Sequence, residues 1–465
     1  MPKKEVVVTE KKDLLKDERI KDSLVYSVLD GTFCSSMIGF GESFISAFAV
    51  FLKATNIQLG LLSSFPQMIG SFSQLFSNRL IKLFDSRKKL VCAFALLQGL
   101  MYIPIALVFF LGTLRVYHLI FFISIYWLFG MILGPAWSSW MGDIVPENRR
   151  GAYFGLRNKI TGFASFFSFL IAGYILQRYA DGLMLQYVGF VIIFTLALLS
   201  RIVSFIFLTK KYEPKYIVVK GSEFSFFDFI KHVRETNYGL FVIFLCLMNF
   251  SVFLSAPFFT PYMLNDLGMN YLSFTIVIAA AMIVKIFSMP VWGRVSDRFG
   301  TKKVLKLSSF LMPIVPVLWI FSDNIVYLIL IQMYSGFVWG GFELAAFNFI
   351  FDTTSAQKRA TCVAYYNVLN GLTIFLGALI GGLIVKYNSV FLSSYFLVFL
   401  VSGILRYIVS LILIPRLKEV RQVDGIKYTQ LFFRVITMMP TMGLMHDLIA
   451  LGKHKLEKFE KKRPY

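Results

Sequence analysis

Three ionisable side chains interrupt long apolar stretches of the chain, where a charge is costly. Glu42 lies in MIGFGESFISAF, Lys285 in AAAMIVKIFSMP and Glu343 in SGFVWGGFELAAF. A charged residue at the centre of a membrane helix costs about 2.5–3.5 kcal/mol on insertion scales, so such residues usually face a cavity, pair with one another or bind a solute. The two carboxylates could carry a coupling proton or contact a cationic solute, and we expect Glu343 to be the partner of Lys285.

Each of these residues also has a structural interpretation, which the sequence leaves open. Glu42 could form a hydrogen bond that only holds the protein together, and Glu343 could close an inner gate through a salt bridge. Lys285 could extend its aliphatic stem toward the membrane surface. That surface is distant, because Gly293 at the end of the run lies about 12 Å away at 1.5 Å per residue.

Neutral side chains in similar segments could contact a solute. Asn249 and Ser251 lie close to Pro257 and Pro261, where a membrane helix is expected to bend. Trp339 lies one helical turn before the second acid, and its ring could stack on a ligand or simply pack. The four cysteines and four histidines show no spacing typical of a zinc site, so the sequence predicts no metal and no cofactor.

The elements that must position these residues are apolar segments of membrane-spanning length. Hydrophobic residues make up 57% of the 465 residues and charged residues only 16%, whereas soluble proteins have about 45–50% and about 25%. We therefore predict an all-α integral membrane protein with twelve transmembrane helices. The predicted spans are 25–52, 57–81, 90–112, 117–141, 153–177, 184–208, 239–264, 271–291, 304–322, 325–350, 361–385 and 391–414.

The distribution of basic residues predicts how the chain crosses the membrane. The net charge is +21, and most Lys and Arg residues lie in the two tails and in one set of loops. The loops on the opposite side hold only Lys53, Arg115, Arg178 and Lys386. This asymmetry follows the positive-inside rule, so we expect both termini in the cytoplasm and a protein of the plasma or inner membrane. It also argues against a nucleic-acid partner.

The chain contains two related halves. DIVPENRRGAYFGLRN and DTTSAQKRATCVAYYN begin 209 residues apart, and each joins two apolar spans. Duplicated halves with a binding site between them are typical of secondary transporters. The predicted domains are a cytoplasmic tail at 1–24, a six-helix bundle at 25–208, a cytoplasmic loop at 209–238, a second six-helix bundle at 239–414 and a basic cytoplasmic tail at 415–465.

One loop carries a motif of a known family. Residues 293–303 read GRVSDRFGTKK, and residues 78–88 are a weaker copy, in which Asn78 replaces the glycine and Lys82 the acid. This stretch resembles the G-x-x-x-D-R-x-G-x-[KR]-[KR] motif of the major facilitator superfamily, and the resemblance covers residues 25–414. It implies two pseudo-symmetric six-helix bundles whose first, fourth, seventh and tenth spans line a central cavity.

Charged residues in the matched loops are predicted to form a gate. Charges at helix ends can pair in one conformation and separate in the other, which biases a two-state equilibrium. Glycines beside them are expected to let the backbones approach closely. The predicted gating residues are Asp143, Arg150, Gly293, Asp297, Arg298, Gly300, Asp352 and Arg359.

Two further basic features have structural interpretations. Arg201 and Arg406 recur at matched places in the sixth and twelfth spans, where we expect them to reach the membrane surface or to pair with acidic loop residues. The tail from Pro415 mixes basic and apolar residues. It is predicted to be an amphipathic segment on the inner leaflet or a disordered basic tail.

The sequence therefore predicts a secondary transporter that moves a small organic solute by alternating access, with a proton carried by Glu42 or Glu343 as the expected coupling ion. The open alternatives are an uncoupled facilitator or channel, a non-transporting sensor, and an integral-membrane enzyme. No G-x-x-x-x-G-K-[ST] phosphate cradle is present, and no paired catalytic residues are visible, so we expect no enzyme activity. The expected partners are the solute, the coupling ion and the lipid bilayer, and we expect a monomer.

Overall fold

The computed structural model of the protein describes residues 18–146, 150–214, 225–354, 359–390 and 393–420. Every regular element in this part of the chain is helical. The predicted amphipathic tail lies almost wholly outside the described residues, as does the middle of the predicted central loop.

Twelve consecutive passages can be numbered along the described chain, and several of them are interrupted. The passages of the first half are α1 (Glu18–Phe51), α2 (Asn56–Ser73 and Ser77–Phe84), α3 (Arg87–Phe110), α4 (Arg115–Ile144), α5 (Arg150–Arg178) and α6 (Leu183–Lys210). Those of the second half are α7 (Asn237–Asp266), α8 (Tyr271–Phe299), α9 (Thr301–Leu311 and Ile314–Leu318), α10 (Ile325–Thr353), α11 (Arg359–Tyr387) and α12 (Phe396–Arg416). A short helix, Phe226–Lys231, precedes α7.

The prediction of an all-α membrane protein is confirmed. Ten helices in the described residues are long and apolar enough to cross a membrane. The other two passages, α2 and α9, are each built from two shorter helices, so the number twelve stays a prediction. The helices also run past the predicted spans: α1 begins at Glu18 rather than at residue 25, and α8 continues to Phe299 rather than residue 291.

The helices of the two halves pack in the same pattern. In the first half α1 packs against α5 and α6, and α4 packs against α2 and α3. In the second half α7 packs against α11 and α12, and α10 packs against α8 and α9. The halves meet where α2 packs against α11 and α5 packs against α8. These four helices form two pairs across the interface, and the two pairs are related by the same pseudo-symmetry.

The two ends of the bundle differ in how the halves are joined. We call the end that holds the stretch between α6 and α7 the connector end, and the opposite end the far end. At the far end, one hydrophobic core includes residues from both halves, such as Phe48, Phe190 and Tyr262. At the connector end, each half has a separate core, one around Trp140 and the other around Trp292. The halves thus share one core at the far end and have separate cores at the connector end.

Breaks in α1 and α7 place aromatic rings in the far-end core. A 3₁₀ turn follows Gly41 in α1, and it holds Phe44; a matching turn in α7 holds Phe258. The Phe44 ring lies 6.3 Å from the ring of Phe274 in the other half, and Phe258 packs beside Gly60 of α2, also across the interface. Each interrupted helix therefore contributes one ring to the seal between the halves.

Glycine is needed where α2 and α11 approach most closely. A Cβ atom added at Gly60 would lie 2.6 Å from the carbonyl oxygen of Ala378, and one added at Gly371 would lie 2.8 Å from Oγ of Ser71. The first contact is to backbone, which cannot rotate away. Any larger residue at position 60 must therefore push the two halves apart at the far end.

We predict that Gly60→Leu shifts the protein toward a conformation that is open at the far end. The matched control is Gly134→Leu in α4, where an added Cβ meets nothing within 4 Å. The measurement is labelling of Phe65→Cys by an impermeant maleimide from the far side, in a background without the four native cysteines. Phe65 now packs against Phe375 of the other half, with 6.0 Å between ring centroids. Equal labelling in the two glycine variants would contradict the prediction.

Candidate functional site

Glu42 lies at the break in α1 and accepts a hydrogen bond from α4. The helix is interrupted at Gly41, and Glu42 begins the 3₁₀ turn. The Tyr126 hydroxyl donates to Oε2 of Glu42 at 2.8 Å, and the Tyr102 hydroxyl lies 3.4 Å from that of Tyr126. The Tyr102 ring packs directly against Gly41. Three helices thus meet at one carboxylate through a chain of hydroxyl groups.

The sequence alone did not identify Tyr102 and Tyr126 as members of this site. Both are fully buried, although a tyrosine hydroxyl in an apolar environment usually needs a partner. That requirement was the signal available in the sequence. This signal could not identify the two residues, because the chain has 22 tyrosines. The sequence pattern of an almost uniformly apolar helix also does not show which of its side chains point inward.

Lys285 and Glu343 form the ion pair that the sequence predicted. The Nζ atom of Lys285 lies 3.0 Å from both carboxylate oxygens of Glu343. Lys285 is the central residue of α8, so the pair lies deep in the bundle. The side chains are nevertheless 36% and 42% exposed. Trp339, one turn before Glu343 on α10, is partly buried and packs edge-on against Phe342.

The exposed side of this ion pair faces the gap between the halves. Ile276 is an exposed apolar residue of α8, and it lies roughly 180° around the helix from Lys285, at about 100° per residue. The contact of α8 with α5 is made by residues such as Ile286, which lies beside Gly162. Lys285 therefore points away from the apolar outer face, between α10 and the opposing half.

Asn249 and Ser251 have different environments, although they are two residues apart. Asn249 donates to Oδ1 of Asn370 at 2.7 Å and lies 3.4 Å from the Tyr366 hydroxyl, both on α11. Ser251 is 1% exposed; its hydroxyl donates to its own helix, and its carbonyl accepts from Ser402 of α12. Ser251 thus lies toward α12 in this conformation, and its expected contact with a solute stays a prediction.

Three of the predicted gating residues have partners in their own half. Asp143 pairs with Arg87, with 2.7 Å between Oδ2 and Nη1. Arg150 donates to the carbonyl oxygens of Gly142 and Val145, at the end of α4. Asp352 accepts a hydrogen bond from Thr301 at 2.8 Å. Such contacts fit a conformation in which the connector end is open.

The other predicted gating residues lie around the start of α11 and the junction of α8 and α9. Arg359 begins α11, and its side chain lies outside the described residues. Asp297 is exposed near the end of α8, and the Arg298 guanidinium lies 5.3 Å from the centre of the Phe299 ring.

The two motif glycines have unequal roles. Gly300 has φ +101°, a conformation that favours glycine, and it forms the sharp junction between α8 and α9. Asp85 has φ +53° at the matching place in the first half, and Asp is among the residues that tolerate this region. At Gly293, an added Cβ would meet only Leu344 at 3.8 Å. The expected close backbone approach at Gly293 is therefore absent in this conformation.

Acidic residues beyond the last helix of each half cap its third helix, a feature that the sequence did not reveal. Glu213, just after α6, accepts from the backbone N–H groups of Arg87 and Lys88 at the start of α3. Glu419, just after α12, accepts from the backbone N–H of Lys302 at the start of α9. Helix N-termini have unpaired N–H groups and a partial positive charge, so a carboxylate is stabilising there.

A buried cluster of charges inside the first half was also not predicted. Lys211 donates to Oδ2 of Asp30 at 2.8 Å, and the Arg157 guanidinium lies 4.0 Å from Oδ1 of the same carboxylate. Trp137 and Trp140 cover the two cations. Burial lowers the pKa of Lys211, and the charge of Asp30 offsets part of that effect. Two cations therefore share one acid.

Arg201 and Arg406 do not extend to the membrane surface, which corrects our expectation. Both are buried. Arg201 donates to Gln98 of α3 at 2.7 Å, and Arg406 donates to Ser255 at 2.8 Å, at the break in α7. Both form hydrogen bonds with neutral groups inside their own halves.

The fold and these sites define the class of the protein. Two pseudo-symmetric helical halves, interrupted helices and ionisable residues between the halves are the features of a secondary transporter. A family model agrees: the Major Facilitator Superfamily model matches residues 31–262 and 240–442, and the chain belongs to this family. The resemblance found in the loop motif is thereby confirmed.

Curated relatives match only part of the chain. Multidrug resistance protein 3 of Bacillus subtilis (strain 168) is 29% identical over 119 residues, which are 26% of this chain and 23% of the relative. Tetracycline resistance protein, class B, of Escherichia coli is 32% identical over 109 residues, which are 23% of this chain and 27% of the relative. The match thus spans about a quarter of the length of each relative.

Solved structures match the chain over most of its length. A D-xylose-proton symporter has a TM-score of 0.66 at 14% identity and covers 87% of this chain and 99% of its own. The nucleoside transporter NupG has a TM-score of 0.62 at 15% identity and covers 86% and 100%. A bacterial homologue of ferroportin in an inward-facing state has a TM-score of 0.64 at 12% identity and covers 85% and 98%. At these identities the similarity shows the shared fold.

We predict that Glu213→Gln destabilises the protein more than Asp143→Asn. Glu213 is 19% exposed and accepts several backbone and side-chain hydrogen bonds, so losing its charge should cost about 1–3 kcal/mol. Asp143 is 50% exposed, and weakening its pair with Arg87 should cost less than about 1 kcal/mol. Thermal unfolding of the two purified variants checks the order, and the reverse order would contradict the capping role.

We predict opposite outcomes for the two members of the Asp30–Lys211 pair. Asp30→Asn leaves Lys211 and Arg157 together without a carboxylate, which should cost about 3–5 kcal/mol. Lys211→Met leaves Asp30 with Arg157, so it should be neutral or stabilising. Thermal unfolding of both variants against the wild type provides the comparison.

A pH series adds a second check of this cluster. Because the pKa of Lys211 is lowered in the folded protein, the cost of its buried charge is fully present below that pKa. The cost disappears as the pH rises from the lowered value toward the unfolded one. Any stability advantage of Lys211→Met should therefore shrink at alkaline pH, and a constant advantage would contradict this account.

Proposed function

We propose that the protein carries a small solute across the membrane by alternating access, with the halves at 25–208 and 239–414 rocking about a site between them. The main support is the difference between the two ends of the bundle. One core joins both halves at the far end, whereas separate cores fill the halves at the connector end. Such an arrangement is that of one end state in a two-state cycle.

We further propose that the connector end faces the cytoplasm, so that the described conformation is open inward. The distribution of basic residues supports this orientation through the positive-inside rule. The protein would then lie in the plasma or inner membrane with both termini in the cytoplasm, and it would function as a monomer. The transport cycle would alternate this state with one that opens outward when the aromatic seal separates.

Glu42 is the better candidate for proton coupling. The Tyr126 hydroxyl donates a hydrogen bond to Glu42, whereas Glu343 is paired with the ammonium group of Lys285. Glu42 also lies at the break in α1, two residues before Phe44 of the far-end seal. A proton on Glu42 would weaken the hydrogen bond from Tyr126 and so loosen the turn that positions the ring of Phe44.

We predict that acidification favours the outward-open state and that Glu42→Gln removes this response. The ionised carboxylate is the stronger acceptor for Tyr126 in the inward-open state, so protonation should destabilise that state relative to the other. Far-side labelling of Phe65→Cys, measured between pH 5 and pH 8, reports the population of the outward-open state. The experiment does not require the solute to be known. The labelling should rise as the pH falls.

The control for this experiment is Glu343→Gln, which should keep the wild-type pH response. If Glu42→Gln also responds like the wild type, Glu42 does not couple protons. If the wild type shows no response at all, the protein is an uncoupled facilitator. Solute flux in liposomes then separates both cases from a non-transporting sensor or an enzyme, neither of which would show flux.

A further inference from the structure

The Lys285–Glu343 pair also carries information on the chemistry of the solute. This inference rests on the proposed transport function. We infer that the solute is a small zwitterion, with a carboxylate that binds Lys285 and an ammonium or quaternary ammonium group that binds Glu343. The inference depends on three properties of the pair: its depth, its exposure and its zero net charge.

The pair is accessible from the gap between the halves. Lys285 is the central residue of α8, and both side chains are more than one-third exposed. The outer apolar face of α8 carries Ile276, on the opposite side of the helix from Lys285. Water and a solute that enter from the open connector end can therefore reach both charges.

The charges of Lys285 and Glu343 favour a ligand that carries both a negative and a positive group. The Nζ atom of Lys285 contacts both oxygens of Glu343 at 3.0 Å, so each charge is satisfied by the other. A solute with one charge would take one partner and leave the other unpaired deep in the membrane, which is strongly unfavourable. A zwitterion can insert between them, because it provides a substitute partner for each.

The surroundings of the pair suggest the orientation of the solute. Trp339 lies one turn before Glu343 on the same face of α10, so its ring is close to where a cation bound to Glu343 would lie. An aromatic ring attracts cations, and quaternary ammonium groups in particular. The cationic end of the solute therefore belongs on the α10 side, and its carboxylate on the α8 side.

The test uses matched probes that differ only in charge. Glycine betaine is compared with its methyl ester, which keeps only the cation, and with 3,3-dimethylbutanoate, which keeps only the carboxylate. Alanine is compared with its own methyl ester and with the corresponding acid that lacks the amino group. Alanyl-alanine is compared with its own two analogues of the same kind. Thermal shift of the full-length purified protein measures binding. At least one zwitterion should stabilise the wild type, with both of its single-charge analogues at least about tenfold weaker.

Two variants change the predicted selectivity rather than simply removing binding. Lys285→Gln leaves Glu343 unpaired, so this variant should gain affinity for the methyl ester. Glu343→Gln leaves Lys285 unpaired, so it should gain affinity for the carboxylate analogue. The affinity of both variants for the zwitterion should fall by at least about tenfold. A variant that fails to fold shows no melting transition, and the charge-reversed protein, Lys285→Glu with Glu343→Lys, then serves as the folded comparison that keeps an ion pair.

The outcomes separate this inference from the proposed function. If no zwitterion stabilises the wild type, or if a methyl ester binds as well as its parent, the zwitterion inference is wrong. Liposome flux of xylose or a nucleoside would then still support transport. If a zwitterion binds with the predicted charge pattern but shows no flux in liposomes, the transport proposal is wrong and the inferred ligand class stands.

Discussion

The protein depends on satisfying its buried charges inside each half, because unpaired charge in the membrane is too costly to keep. Arg87 with Asp143, and Lys211 with Asp30, are pairs within the first half, and Lys285 with Glu343 is a pair within the second. The far-end contact between the halves is made by aromatic rings and by neutral hydrogen bonds, such as Tyr395 to Asn56. Separating the halves there breaks none of these ion pairs.

The duplicated halves keep the same structural devices with different residues. A positive φ turns the chain from the second to the third helix of each half, at Asp85 and at Gly300. Each third helix is capped by an acid that follows the sixth helix of its half. The break in α7 is held by Arg406, whereas the break in α1 carries Glu42 itself. At the interrupted helices the two halves therefore differ in charge, with an arginine beside one break and an acid at the other.

The sequence was sufficient for features that depend on length or on local rules. Apolar runs predicted the helices, and the cost of a charge inside an apolar span predicted the pairing of Lys285 with Glu343. It was insufficient for contacts between distant segments: Asp30 and Lys211 are separated by 181 residues. It also could not set the rotation of a helix that is apolar all round, which is why the roles of Tyr102 and Tyr126 were missed.

The two intramembrane acids differ in their partners, and this difference argues for a division of roles. A carboxylate that is paired with an ammonium suits the recognition of a charged solute. A carboxylate held by a hydroxyl at a helix break can change its charge while the fold persists. Glu343 therefore fits solute binding and Glu42 fits coupling. Since they lie in different halves, a bound solute and a bound proton would each bias the same rocking motion from opposite sides of the gap.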